Sequence, residues 1–119
     1  MARILIVDDE VIVLNSMGIL LKSEGHEVTA LSKGDEACNL LQKRSFDLLI
    51  TDIRMSPVDG MELIRFAHKQ CPGMPVIVVS AYASDSTASE SMAAGSVAYI
   101  KKPFKISEVL EAVTKALKK

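Results

Sequence analysis

Five side chains in this sequence could do chemistry together if folding gathered them: Asp8, Asp9, Asp52, Ser80 and Lys102. Three carboxylates in close proximity repel one another, and their pKa values rise unless a cation sits among them. A hard divalent ion is the natural partner, and Mg2+ favours one or two carboxylates, several waters and phosphate oxygens around it. A lysine and a hydroxyl nearby then suit phosphoryl oxygens better than they suit the metal. Aspartate is itself a competent covalent phosphate acceptor, and phosphoryl transfer asks chiefly for in-line positioning and neutralised charge. Asp52 stands alone while Asp8 and Asp9 are adjacent, so Asp52 reads as the acceptor and the pair as metal ligands.

The elements that must position these residues follow from hydrophobic periodicity. Short runs rich in Val, Ile and Leu occupy residues 4–7, 28–31, 48–51, 76–80 and 97–100, each separated from the next by enough chain for a helix. The spacing predicts a first helix over 11–24, with Leu14, Met17, Gly18 and Leu21 on one face and Gly25 ending it. Ser32-Lys33-Gly34-Asp35 has capping-box spacing for a second, which turns Ala37, Leu40 and Leu41 inward. A third follows Asp59-Gly60 and stops before Pro72-Gly73. The fourth, from Ser84 on, is rich in residues that favour caps and turns, and is expected to be short or mobile, held by Met92 and the alanines. In the fifth, Ile106, Val109, Leu110, Val113 and Leu117 form one apolar stripe.

Strands joined by helices lie parallel with right-handed crossovers, which gives an α/β, doubly wound (βα)5 sandwich. The second run alternates like an edge strand, whereas the first and third are nearly continuous apolar runs; this favours the flavodoxin-like order 2-1-3-4-5. In such sheets ligands bind outside the carboxyl ends of the strands. Asp8 and Asp9, Asp52, Ser80 and Lys102 end or follow four of the runs, and so converge on one rim.

Gross composition narrows the remaining choices. A length of 119 residues, 49% hydrophobic, suits one core, and one domain over 1–119 is expected. With 14 basic and 15 acidic residues scattered along the chain, there is no electrostatic footprint for nucleic acid or for a membrane surface. The N-terminus lacks a signal-peptide pattern and no apolar run reaches spanning length, so a cytoplasmic location is expected. Cys38 and Cys71 match neither a metal site nor a disulfide framework and read as packing thiols. His26 and His68 read as solvated side chains and the six methionines as core filler. No linker appears within residues 1–119, and the domain reads equally as a complete regulator or as the receiver of a longer one whose output would lie beyond Lys119.

Four segments then carry a resemblance. Ile4-Leu5-Ile6-Val7-Asp8-Asp9-Glu10, Leu49-Ile50-Thr51-Asp52-Ile53-Arg54-Met55, Val79-Ser80-Ala81 and Lys102-Pro103-Phe104 resemble, in order and spacing, the motifs of two-component response-regulator receiver domains. The resemblance implies a phosphorylation-dependent switch rather than a turnover enzyme, charged by a sensor histidine kinase or a His phosphotransfer protein. It implies Mg2+ held by Asp8, Asp9, Asp52 and the backbone carbonyl of Arg54, with phosphoryl oxygens held by Ser80 and Lys102. Tyr99 falls at the switch-aromatic position, turning inward as Ser80 moves and remodelling the surface of the fourth helix, fifth strand and fifth helix for an output domain, a partner or a homodimer. Pro57 stands five residues after the acceptor where the family usually places proline four after, which implies an altered turn beside the site.

Taken singly, each feature has a plainer reading: paired aspartates cap helices, a lysine is a surface charge, a tyrosine half-buries in a strand. Their joint placement on one rim favours the functional one. A haloacid-dehalogenase-like phosphatase would need a second acid two residues after Asp52, where Arg54 stands. A pseudo-receiver that is never phosphorylated would not need all five site positions. A nucleotide-binding flavodoxin-like protein would want a glycine-rich loop, which the rim lacks.

Arg54 and Tyr82 fall, by the same resemblance, where the family tunes phosphoryl lifetime, and a long cation and a ring there would obstruct attacking water. Slow self-dephosphorylation is therefore expected. Arg54→Ala and Tyr82→Ala should each hasten loss of label from the phosphorylated protein, and decay curves superimposable on wild type would remove the reading.

Overall fold

The computed structural model describes residues 2–53, 58–81 and 85–118, with the backbone alone for 85–87. Strands β1 (Arg3–Val7), β2 (Glu27–Leu31), β3 (Leu48–Thr51), β4 (Val76–Ser80) and β5 (Ala98–Lys101) alternate with helices α1 (Val11–Ser23), α2 (Gly34–Lys43), α3 (Gly60–Gln70), α4 (Asp85–Ala94) and α5 (Ile106–Leu117). All strand pairs are parallel, and the order is β2-β1-β3-β4-β5, as the edge-like second run and the continuous apolar runs predicted.

Both faces of the central strands are buried, which is why they read as unbroken apolar runs. Leu5, Val7, Leu49, Val76 and Val78 point to one core with Ala37 and Leu41 of α2 and Leu63, Ile64 and Ala67 of α3. Ile4, Ile6, Leu48, Ile50, Ile77 and Val79 point to the other, with Leu14, Met17 and Leu21 of α1 and Val109 and Val113 of α5. Each buried aliphatic side chain contributes roughly 1.5–3 kcal/mol, so the two layers hold the sheet from both sides. Among the described residues no helix is long and apolar enough to cross a membrane.

Local expectations held where a single physical cause dominates. α1 buries Leu14, Met17, Gly18 and Leu21, and Gly25, at φ 88°, turns the chain after it. Asp59 caps α3 by accepting from the Glu62 N–H at 2.9 Å.

Elsewhere the structure corrects the sequence reading. Ser32 does not cap α2: Lys33 is the N-cap residue, without a side-chain cap bond, and the first helical residue is glycine because a Cβ on Gly34 would overlap the Val58 carbonyl. α4 runs ten residues, as long as α2, and its anchor is not Met92, which is 49% exposed. Ser91 is buried in its place, its hydroxyl donating to the Ala88 carbonyl at 2.9 Å and lying 3.2 Å from Ser96 Oγ, so a polar side chain fits a packed position. Ile106 is exposed at the head of α5, leaving Val109 and Val113 to carry the stripe. His26 is half-buried rather than solvated and accepts the Ala2 N–H on Nδ1 at 3.2 Å. β5 begins at Ala98, and Val97 is exposed. Among the other described methionines, Met17, Met61 and Met74 are buried as expected.

One close approach fixes the floor of the rim. The Gly60 N–H donates to the Ile53 carbonyl at 2.6 Å, and a Cβ on Gly60 would overlap the Asp52 carbonyl oxygen and Ile53 Cα. Helix propensity alone would favour Ala at this first-turn position. Gly60→Ala is nevertheless expected to destabilise the protein, by about 1–3 kcal/mol as overpacking does, read as a lower urea midpoint at unchanged slope.

Candidate functional site

The β1–β3 ladder builds the site. Val7 pairs with Thr51, and past the strand ends the Asp52 N–H donates to the Val7 carbonyl (3.0 Å), while on the other side of β1 the Asp8 N–H donates to the Leu31 carbonyl of β2 (3.1 Å). Asp8 and Asp52 are thereby held on adjacent strands at the point where crossovers leave in opposite directions, and both are buried. One oxygen of each is pinned locally: Asp8 Oδ1 accepts the Glu10 N–H at 2.9 Å and Asp52 Oδ1 accepts the Ile53 N–H at 2.6 Å. The Thr51 hydroxyl donates to the Asp52 carbonyl oxygen at 2.8 Å.

The other oxygen of each faces Lys102. Its Nζ lies 2.8 Å from Asp8 Oδ2, 2.7 Å from Glu10 Oε1 and 2.9 Å from Asp52 Oδ2, with only 9% of the lysine side chain exposed. The contacts to Glu10 and Asp52 are formed hydrogen bonds. Asp8 Oδ2 is ion-paired at short range but badly directed, and keeps no hydrogen-bond donor of its own although it is buried. Burial raises the Asp8 carboxyl above the usual range, the Lys102 contact and the Glu10 N–H pull it back, and the neighbouring Asp52 charge raises it again. Burial would lower the Lys102 ammonium, but its short ionic contacts with Asp8, Glu10 and Asp52 outweigh this and hold it well above an ordinary lysine.

Carboxylate oxygens of Asp8, Asp9, Glu10 and Asp52 all lie within 4.8 Å of one another, with Asp9 and Glu10 on the solvent side. An all-oxygen donor set containing a buried oxygen without a donor fits a hard divalent cation such as Mg2+. Ser80 is fully buried at the end of β4, and its carbonyl accepts the Lys102 N–H at 2.8 Å, tying the lysine's backbone to the same rim. Tyr99, opposite Val78 on β5, is half-buried against the core layer beneath α3. Arg54, Pro57 and Tyr82 lie outside the described residues. Sequence reasoning gave Glu10 no role; its signal was an acid two residues after Asp8, at the N-cap of α1, where it makes no side-chain cap bond.

A doubly wound sheet with an acid cluster and its lysine at the topological switch point is the frame of an α/β ligand-handling module. The chain belongs to the response-regulator receiver family of two-component signalling, whose model, described as the response regulator receiver domain, matches residues 4–114. It is 35% identical over 116 residues to the transcriptional regulatory protein GlrR of Escherichia coli K12, and 36% identical over 115 residues to the alginate biosynthesis transcriptional regulatory protein AlgB of Pseudomonas aeruginosa. These matches take in 98% and 97% of this chain but 26% of each relative, so the chain spans about a quarter of their length. A CheY-like receiver domain protein from Methanospirillum hungatei JF-1 superposes with a TM-score of 0.94 at 38% identity, covering 98% of this chain and 94% of that one. NtrX of Brucella abortus in complex with ADP superposes at 0.91 and 32% identity, over 98% of this chain and 27% of that one.

The electrostatics make a prediction about stability. Added Mg2+ should raise Tm by ligand linkage, and the rise should shrink as pH falls and protons compete for the Asp8 carboxylate, starting at a higher pH than for an ordinary aspartate because burial raises it. In Lys102→Met the carboxylates lose their fixed counter-ion, so the metal-free variant should melt lower than wild type and gain more from Mg2+. Equal gains in the two proteins would show that Lys102 does not neutralise the cluster.

Proposed function

We propose that this domain is a phosphorylation-dependent switch in which Asp52 takes a phosphoryl group from a phosphohistidine of a sensor kinase or phosphotransfer protein. The observation that carries this reading is Lys102 bridging the buried Asp8 and Asp52 at the strand ends, beside oxygens suited to a divalent ion. Asp8, Asp9 and Asp52, with the backbone carbonyl of Arg54, would hold Mg2+. When bound, the metal supplies positive charge against the phosphoryl oxygens and helps orient them.

The chain's own residues do the rest. The Ile53 N–H fixes the rotation of the Asp52 carboxylate, which matters because in-line attack tolerates little misplacement. As an Asp52 oxygen forms its bond to phosphorus, the P–N bond of the donor breaks, its electron pair stays on the imidazole, and that nitrogen takes a proton from water. Lys102 and the Ser80 hydroxyl receive the phosphoryl oxygens. Movement of Ser80 toward the phosphate would let Tyr99 turn inward, altering the α4, β5 and α5 surface read by an output domain or partner, or used to form a homodimer. Relatives named as transcriptional regulators, four times as long, favour an output in gene control. The balanced charge favours a switch without nucleic-acid contacts of its own.

Incubation with acetyl phosphate or phosphoramidate and Mg2+ should label the protein at one acid-stable, hydroxylamine-sensitive position. Asp52→Asn should abolish the label, and chelation of the metal should reduce it at least a hundred-fold, roughly the weight of charge stabilisation in such transfers. No incorporation, together with no response to beryllofluoride, would instead mark a receiver fold used purely for docking.

A further inference from the structure

We propose that Glu10 is a displaceable latch on Lys102: in the unphosphorylated protein its carboxylate holds the ammonium proton that a phosphoryl oxygen would otherwise take. This deepens the reading of Asp52 as acceptor and rests on it.

An ammonium group has three protons; in this structure two are bonded to Glu10 and Asp52, and Asp8 Oδ2 crowds the remaining side at 2.8 Å, with only 9% of the lysine side chain exposed. A phosphoryl oxygen can reach Lys102 only if one of them yields. Asp8 and Asp52 are buried, and their oxygens form the floor of the cation cluster. Glu10 differs on both counts. Its side chain is 58% exposed, so swinging into water carries little desolvation penalty. It is also free of local duty: as the N-cap residue of α1 it makes no side-chain cap bond, and its whole polar reach goes across the rim to a residue 92 positions away.

A carboxylate at 2.7 Å from Nζ would stand against the negative oxygens of a phosphorylated Asp52, like charge against like. The latch therefore acts as an internal competitor. It keeps Lys102 over the site while the protein waits, and weakens the phosphoryl-bound state by the strength of one half-exposed ion pair.

Two measurements on Glu10→Gln test this, since glutamine keeps the size and loses the charge. In the metal-free protein, hydrogen exchange of the Lys102 ammonium, followed by NMR, should quicken about two- to five-fold, the range of a partly solvated ion pair. In saturating Mg2+, affinity for beryllofluoride should tighten by a similar factor, a gain that structural damage would not produce. Unchanged exchange would overturn the contact. Quicker exchange with unchanged or weaker beryllofluoride affinity would overturn the competition. Should wild type bind no beryllofluoride, the acceptor reading itself would fall, while ammonium exchange would still decide the contact.

Discussion

Two carboxylates are forced side by side by a parallel register, and much of the rim is arranged around that repulsion. Val7 and Thr51 are paired, so Asp8 and Asp52 emerge together from adjacent strands into a buried place. Like charges so placed are unstable without a cation. Lys102 follows the end of β5, reaches across β4, and is held there by its own N–H on the Ser80 carbonyl. The sheet order thus matters chemically: strands one and three must be neighbours for the acids to meet, and the fifth must end on the same rim for the lysine to reach them.

Neutralisation by a lysine instead of by burying fewer charges leaves the site responsive. An ammonium can be shared with an arriving anion, whereas replacing the lysine and its buried acids together by apolar residues would end the exchange. The pKa directions express the same balance, with Asp8 held high by burial and Lys102 held higher by its partners. Stability is given up at the rim and recovered in the two apolar layers that clamp the sheet.

Much of this was legible in the sequence because its causes are periodic or compositional. Strands buried on both faces must be apolar without interruption, and β1, β3 and β4 are. A glycine at positive φ ends α1 because other residues avoid that conformation, and Gly25 could be read for it. What escaped reading depends on specific partners. Ser91 replaced Met92 as the buried residue of α4 because its hydroxyl donates to the Ala88 carbonyl and accepts from Ser96 Oγ, and no periodicity of apolar residues records that. Gly34 looked like part of a cap and is instead a clearance for the Val58 carbonyl. Glu10 had no role in the sequence because its ion-pair partner, Lys102, lies 92 positions away and meets it only in the fold.

Ile53 is a single peptide hinge with a load on each side. Its N–H grips the acceptor carboxylate, its carbonyl grips the first N–H of α3, and its side chain is seated in the core. A shift of the Asp52 carboxylate must therefore be absorbed by Ile53's two backbone torsions or passed on as a tilt of α3. One residue thus couples the acceptor's carboxylate to the first turn of α3 through its two peptide groups.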